Sequence, residues 1–188
     1  MKSVKIYTII GILFVLVTGS LAHYLYTWSG HNYLMGLFAP VNESIWEHMK
    51  LLFFPMLLYS LIMICRCKNL CPCICSSLYF GIILGTLFIP TAFYAYTTVL
   101  GKSIFLLDIG IFILSVILAF WSSYRLTLSC KLDAYTSILR IVICLLFVCF
   151  LVFTTHPPDS PLFQDPAVSD ACGAAVRTLH QCPAPSLF

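Results

Sequence analysis

The sequence predicts an all-α fold, a polytopic membrane bundle of about five transmembrane helices. Three observations predict it. The chain is 61% hydrophobic and 9% charged, with a mean hydropathy of +0.99, whereas soluble domains carry about 25% charged residues. The apolar residues gather in five runs, each near the roughly 20 residues that cross about 30 Å of hydrocarbon. In lipid each segment must satisfy its own backbone groups, so each run is expected to be a helix. The net charge of +3 is small and scattered over 188 residues. No basic run points to nucleic acid, and the lipid bilayer is the expected partner.

The first span is expected at about 5–26. A signal-peptide reading competes for it, with Lys2 and Lys5 as the basic region and Ser20-Leu21-Ala22 as a small-x-small site. Either reading sends Trp28 to Asn42 outside. The second span is expected at about 43–65. Pro40 stops any earlier helix, Asn42 is the expected N-cap, and Glu43 falls in a first turn where the helix dipole favours negative charge. The third, fourth and fifth are expected at about 74–96, 103–122 and 136–155. They form one helical domain over 1–166. The remaining stretch, 167–188, lacks periodicity and is expected to be a disordered external tail.

Lys and Arg in the short loops give the orientation. Lys2 and Lys5, Arg66 and Lys68, and Arg125 and Lys131 mark one side. The alternate loops hold only Lys102, and the tail only Arg177. The N-terminus is therefore expected in the cytoplasm and the C-terminus outside, in a multi-pass plasma-membrane protein.

With that topology the polar residues sort by depth. His23 and Tyr24 close span 1 on the outer side. Glu43, Glu47, His48 and Lys50 open span 2 there. Tyr94 and Tyr96 close span 3, Asp108 lies about a turn into span 4, and His156 closes span 5. Ionisable groups inside a span are costly and mark functional sites. Groups at a span end, such as His23, Glu43 and His156, also have a plain interfacial role open to them. At about 100° per residue, Glu43, Glu47 and Lys50 share one stripe, and Ser44 and His48 a neighbouring one. Lys50 either snorkels to the interface or pairs with Glu47.

Ten cysteines are present. Five of them, Cys65, Cys67, Cys71, Cys73 and Cys75, crowd the inner loop. The cytoplasm is reducing, so no disulfide framework is expected there. The spacings match paired zinc-ligand motifs poorly. Cys144 and Cys149 read as packing residues, and Cys172 and Cys182 as a conceivable external pair.

Several of these blocks carry a resemblance. His23-Tyr24, Tyr26-x-Trp28-Ser29-Gly30, Gly36 to Ser44, Trp46-Glu47-His48, Lys50 to Pro55 and Thr155-His156-Pro157-Pro158 are similar to a family of small multi-pass membrane proteins of unknown function, found mostly in Gram-positive anaerobic bacteria. The resemblance runs from about residue 20 to Pro166 and rests on the Asn42-Glu43-Ser44-x-Trp46-Glu47-His48 and Thr155-His156-Pro157-Pro158-Asp159 signatures. It implies a bacterial integral membrane protein whose mature chain keeps His23 and Tyr24. It implies no activity. The inner cysteine cluster and the tail depart from it.

Three functions fit. In the first, an external-leaflet pocket holds zinc on His23, His48 and His156, with Glu47, Asp108 and Ser44 as catalytic groups and Asn42, Glu43, Trp46 and Lys50 as cap and pocket wall, for hydrolysis. In the second, Glu43, Glu47 and Asp108 relay protons or cations in a transporter, for which a homodimer supplies the symmetry a five-span chain lacks. In the third, the protein is non-catalytic, and Gly30, Gly36, Pro40 and Pro157-Pro158 shape a rigid, non-helical outer surface.

Overall fold

The structure is a computed structural model and describes residues 2–69 and 71–165. Helices α1 (Lys2–Trp28), α2 (Tyr33–Phe38), α3 (Ile45–Cys67), α4 (Ile74–Leu100), α5 (Phe105–Ser129) and α6 (Thr136–Thr155) follow in order, with 3-10 turns at Asp133–Tyr135 and Pro161–Phe163. No strand occurs among the described residues. The five helices other than α2 are long and apolar enough to cross a membrane, as expected. The expected tail and the Cys172–Cys182 pair lie outside the described residues.

The helices run a few residues beyond the hydropathy limits, most visibly in α4 and α5. Hydroxyls explain the extension. Thr97 donates to the Phe93 carbonyl, Thr98 to that of Tyr94 and Thr127 to that of Ser123. Each polar residue is satisfied by its own helix one turn back, so the helix continues past the apolar run. The outer loop also differs from the expected non-helical backbone. Asn32 caps α2 by accepting from Leu34 N at 2.9 Å, and Gly36 lies inside that short helix.

Two kinds of packing hold the bundle. Helix α4 lies closest to α5, across a four-residue loop that makes them antiparallel neighbours. A Cβ on Gly81 would stand 2.0 Å from Ser123 Oγ and 2.5 Å from the Ala119 carbonyl, and one on Gly85 2.7 Å from Ala119 Cβ. Small residues at this spacing let membrane helices approach closely where hydrophobic drive is absent. Helix α3 instead meets α6 through large rings. Trp46 lies 4.7 Å from Phe150, Phe53 4.8 Å from Phe150, and Phe54 5.7 Å from Phe147, ring centre to centre. Gly81→Leu is therefore expected to destabilise the detergent-purified protein by at least the about 1–3 kcal/mol of an overpacked core, read as a lower thermal midpoint. An Ile141→Leu control on the exposed face of α6 should leave that midpoint in place.

Helix α1 is part of this core. Val4 and Val15 are buried, Tyr59 donates to the Tyr7 carbonyl at 2.7 Å, and Gly11 abuts Phe120 and Tyr59.

The cysteines correct one expectation. Cys73, before α4, and Cys130, after α5, form a disulfide with Cα atoms 5.3 Å apart. The crowded spacing of Cys65 to Cys75 concealed this pairing because the partner lies 57 residues further on. The antiparallel α4–α5 pair brings the start of one helix to the end of the other. Cys67 is buried, Cys65 and Cys144 are exposed, and Cys71, Cys75 and Cys149 are half-buried. Cys144 is therefore not a packing residue within the chain.

Candidate functional site

The site is built at the ends of the helices opposite the disulfide. Its central piece is the segment between α2 and α3. Asn42 Oδ1 accepts from Ser44 N at 3.0 Å, which turns the chain, and Ser44 Oγ then accepts from Glu47 N at 3.4 Å as the N-cap of α3. The cap is thus Ser44, two residues after the expected Asn42. Ser44-x-x-Glu47 has the spacing of a capping box, but the Glu47 carboxylate reaches further back and accepts from Val41 N at 3.0 Å.

Glu47 and Lys50 form a buried clasp. Lys50 Nζ donates to Glu47 Oε2 at 2.6 Å and to the Gly36 carbonyl at 3.0 Å, and Thr154 on α6 approaches Glu47 Oε1 at 3.4 Å. Lys50 is wholly buried and Glu47 is 2% exposed. The pair ties α2, the Val41 turn, α3 and α6 together, and it leaves the segment carrying Glu43 in a fixed place.

Glu43 lies just before the helix rather than in its first turn, so it leaves the Glu47–Lys50 stripe and reaches across to α1. Its Oε1 is 3.6 Å from His23 Nε2 and its Oε2 is 3.4 Å from His48 Nε2. The two imidazole rings are 5.4 Å apart, centre to centre. One ligand atom from each of His23, Glu43 and His48 lies within 4.8 Å of the others.

The protonation of His48 follows from its partners. Nδ1 lies 2.9 Å from the Ser44 carbonyl, which only accepts, so the ring proton is assigned to Nδ1. Nε2 then presents a lone pair to a carboxylate oxygen. Two acceptors facing each other need something between them, a donating water, a proton that makes the imidazolium, or a metal ion. A carbonyl on the far nitrogen is also the usual way a metal-binding histidine is oriented. His23 Nδ1 is buried with no hydrogen-bond partner among the described residues.

Below the cluster lies a cavity of ≈ 550 Å³ between α1, α3, α4 and α5. Asp108, in the first turn of α5, is on its wall, with Tyr96 Oη donating to Oδ1 and accepting from Ile104 N. Asp165 also lines it and accepts from Glu43 N at 3.4 Å.

The structure therefore brings His23, His48, Glu43 and Asp108 to one cavity. It places the other candidates elsewhere. His156 ends α6, exposed and 2.9 Å from Thr155 Oγ1, outside the cluster and the cavity wall. Glu47 and Lys50 are spent on each other, and Ser44 is a buried cap. Trp46 packs among Phe150, Phe153 and Phe163. Asp165 and Tyr96 were not singled out as site residues from the sequence. The Asp165-Pro166 pair after the late prolines was the available signal for the first. The Tyr96–Asp108 contact depends on the α4–α5 turn and had none.

Five long apolar helices with a histidine–carboxylate cluster at one end fit a multi-pass membrane protein. The chain belongs to the Family of unknown function (DUF6512), whose model matches residues 1–172. The match thus takes in the first span and passes Pro166. Comparison with curated proteins and with solved structures gave no match.

Proposed function

We propose that this protein is a bacterial plasma-membrane hydrolase, with its N-terminus in the cytoplasm, its pocket in the outer leaflet, and a zinc-type divalent ion held by His23, Glu43 and His48. The observation that carries the reading is the convergence of two imidazole nitrogens on one carboxylate, with the far nitrogen of His48 already taken by a backbone carbonyl. Two histidines and a glutamate are a ligand set of catalytic zinc sites, which keep a fourth position open for water or substrate. Zinc there would supply Lewis acidity and activate water at neutral pH. Asp108, held by Tyr96 on the wall of the same cavity, is the group suited to take a proton from water and return it to a leaving group. The orientation rests on the Lys and Arg distribution.

Burial of Glu47 against Lys50 counts against the relay reading, because one of its three acids is committed to an internal pair. Elemental analysis of protein purified without chelator tests the proposal. About one zinc per chain is expected, returning after chelator treatment and zinc addition. A chain that takes up no zinc on reconstitution would refute it. Affinity should also fall on acidification, because protons compete for the imidazole nitrogens.

A further inference from the structure

We infer that the cavity takes a single-chain amphiphile from the surrounding leaflet, with its acyl carbonyl at the His23–Glu43–His48 cluster and its chain directed down among α1, α3, α4 and α5. The inference rests on the reading of that cluster as the reacting end.

Three features of the cavity lead to it. The first is a polarity gradient. Its polar groups, His23, Glu43, His48, Ser103, Asp108 and Asp165, sit at the helix ends. Deeper along the same helices the lining groups are apolar apart from Ser20, whose hydroxyl is already donated to the Leu16 carbonyl at 2.8 Å. Phe112 is four residues below Asp108, about 6 Å at 1.5 Å per residue, and Ile89 is seven below Tyr96, about 10 Å. The gradient runs as it does in a lipid leaflet, polar at the surface and apolar beneath.

The second is the rim. Tyr24 of α1 is 53% exposed, and Phe105 and Ile109 of α5 are 76% and 40% exposed. These side chains border the cavity at the depth of the apolar helix runs, where the neighbour is lipid. A water-borne polar substrate would find below the entrance the Ser20 hydroxyl, already spent on its own helix, among apolar groups, whereas an acyl chain matches both rim and interior.

The third is the floor. A Cβ on Gly19 would meet Phe112 at 2.7 Å and the Leu51 carbonyl at 2.5 Å. Helix α1 therefore lies close against the α3 backbone there, with the Phe112 ring of α5 packed onto the same glycine. On the α1 and α5 sides the space ends about one turn below the cluster, and on the α4 side it reaches Ile89, about two turns down. It suits one chain lying along the helices rather than the pair of a diacyl lipid.

For an acyl ester or amide the reaction consumes one water. Its oxygen bonds to the carbonyl carbon, the bond from that carbon to oxygen or nitrogen breaks, and the proton passes to the departing alcohol or amine. A fatty acid remains, and no other reactant is needed.

The test uses the full chain in phosphatidylglycerol nanodiscs with a diazirine-bearing palmitic acid, photolysed and mapped by mass spectrometry. Labelling is expected on the peptides holding Phe93 and Phe112. Excess palmitate should suppress it at least tenfold, and butyrate should not. Ser20→Trp and Ile109→Trp, which add bulk at exposed positions on the cavity wall, should each lower it about tenfold while keeping the wild-type elution profile. Labelling that palmitate does not compete, or that both variants leave intact, overturns the inference. The metal is scored separately. Competed labelling in His48→Ala protein that has lost zinc supports chain capture apart from the metal. Zinc binding without competed labelling overturns the inference and leaves the metal reading standing. Competed labelling in a wild-type chain that binds no zinc does the reverse.

Discussion

Lys50→Met is expected to destabilise the protein by about 3–5 kcal/mol, the cost of stranding one member of a buried ion pair. The Lys50 ammonium is wholly buried and bonds Glu47 and the Gly36 carbonyl. Without it the Glu47 carboxylate keeps, among the described residues, the Val41 N–H and the distant Thr154 hydroxyl, which already donates to the Phe150 carbonyl at 2.6 Å, in an environment that does not solvate charge. Glu47→Gln alone should be similarly costly, since it leaves the ammonium stranded. Glu47→Gln combined with Lys50→Met removes both charges, and much of the loss should return. Unfolding midpoints of the four proteins in one detergent form the cycle. Losses that simply add would mean that the two groups do not act as a pair. The single Lys50 variant should also weaken zinc binding, because the clasp holds both ends of the segment that presents Glu43.

The second large effect is on the metal. Glu43→Gln is expected to lower zinc affinity by more than the about 10–100-fold that loss of an outer-shell partner costs, because it removes the charge shared by both histidines. His156→Ala should leave affinity unchanged, since His156 stands apart from the cluster. Glu43 has an exposed side chain whose carboxylate, among the described residues, is engaged by the two histidines, so Glu43→Gln should keep the wild-type thermal midpoint without metal. Competition with a chromophoric chelator measures both variants. Equal affinity of wild type and Glu43→Gln would move the ligand set elsewhere.

What could be read in advance divides along physical lines. Hydropathy reports depth, so the five spans and the shared level of His23, His48 and Asp108 were accessible from the sequence. Depth does not report where a residue sits around the bundle. His156 matched in level and still falls outside. The exchange of Glu43 and Glu47 has a local cause. Capping at Ser44 rather than Asn42 starts the helix two residues later, about 200° of helix rotation. That shift leaves Glu43 outside the helix, free to cross over to α1, whereas Glu47 and Lys50 lie three apart inside it and pair with each other. The Ser44-x-x-Glu47 spacing was present in the sequence, but Asn42 after Pro40 was an equally good local candidate. The contacts between distant segments, Cys73 with Cys130 and Tyr96 with Asp108, depend on which helices are neighbours, and no local pattern carries that.

The Cys73–Cys130 bond has a practical consequence. Under the proposed orientation it lies at the cytoplasmic end, where glutathione keeps thiols reduced. Reduction there would open the bond and remove one covalent strap from the protein. That strap joins the far ends of α4 and α5, whose near ends carry Phe93 and Asp108. Preparations made with and without reductant are two chemical species, and in one of them these two walls of the pocket are tethered at their base.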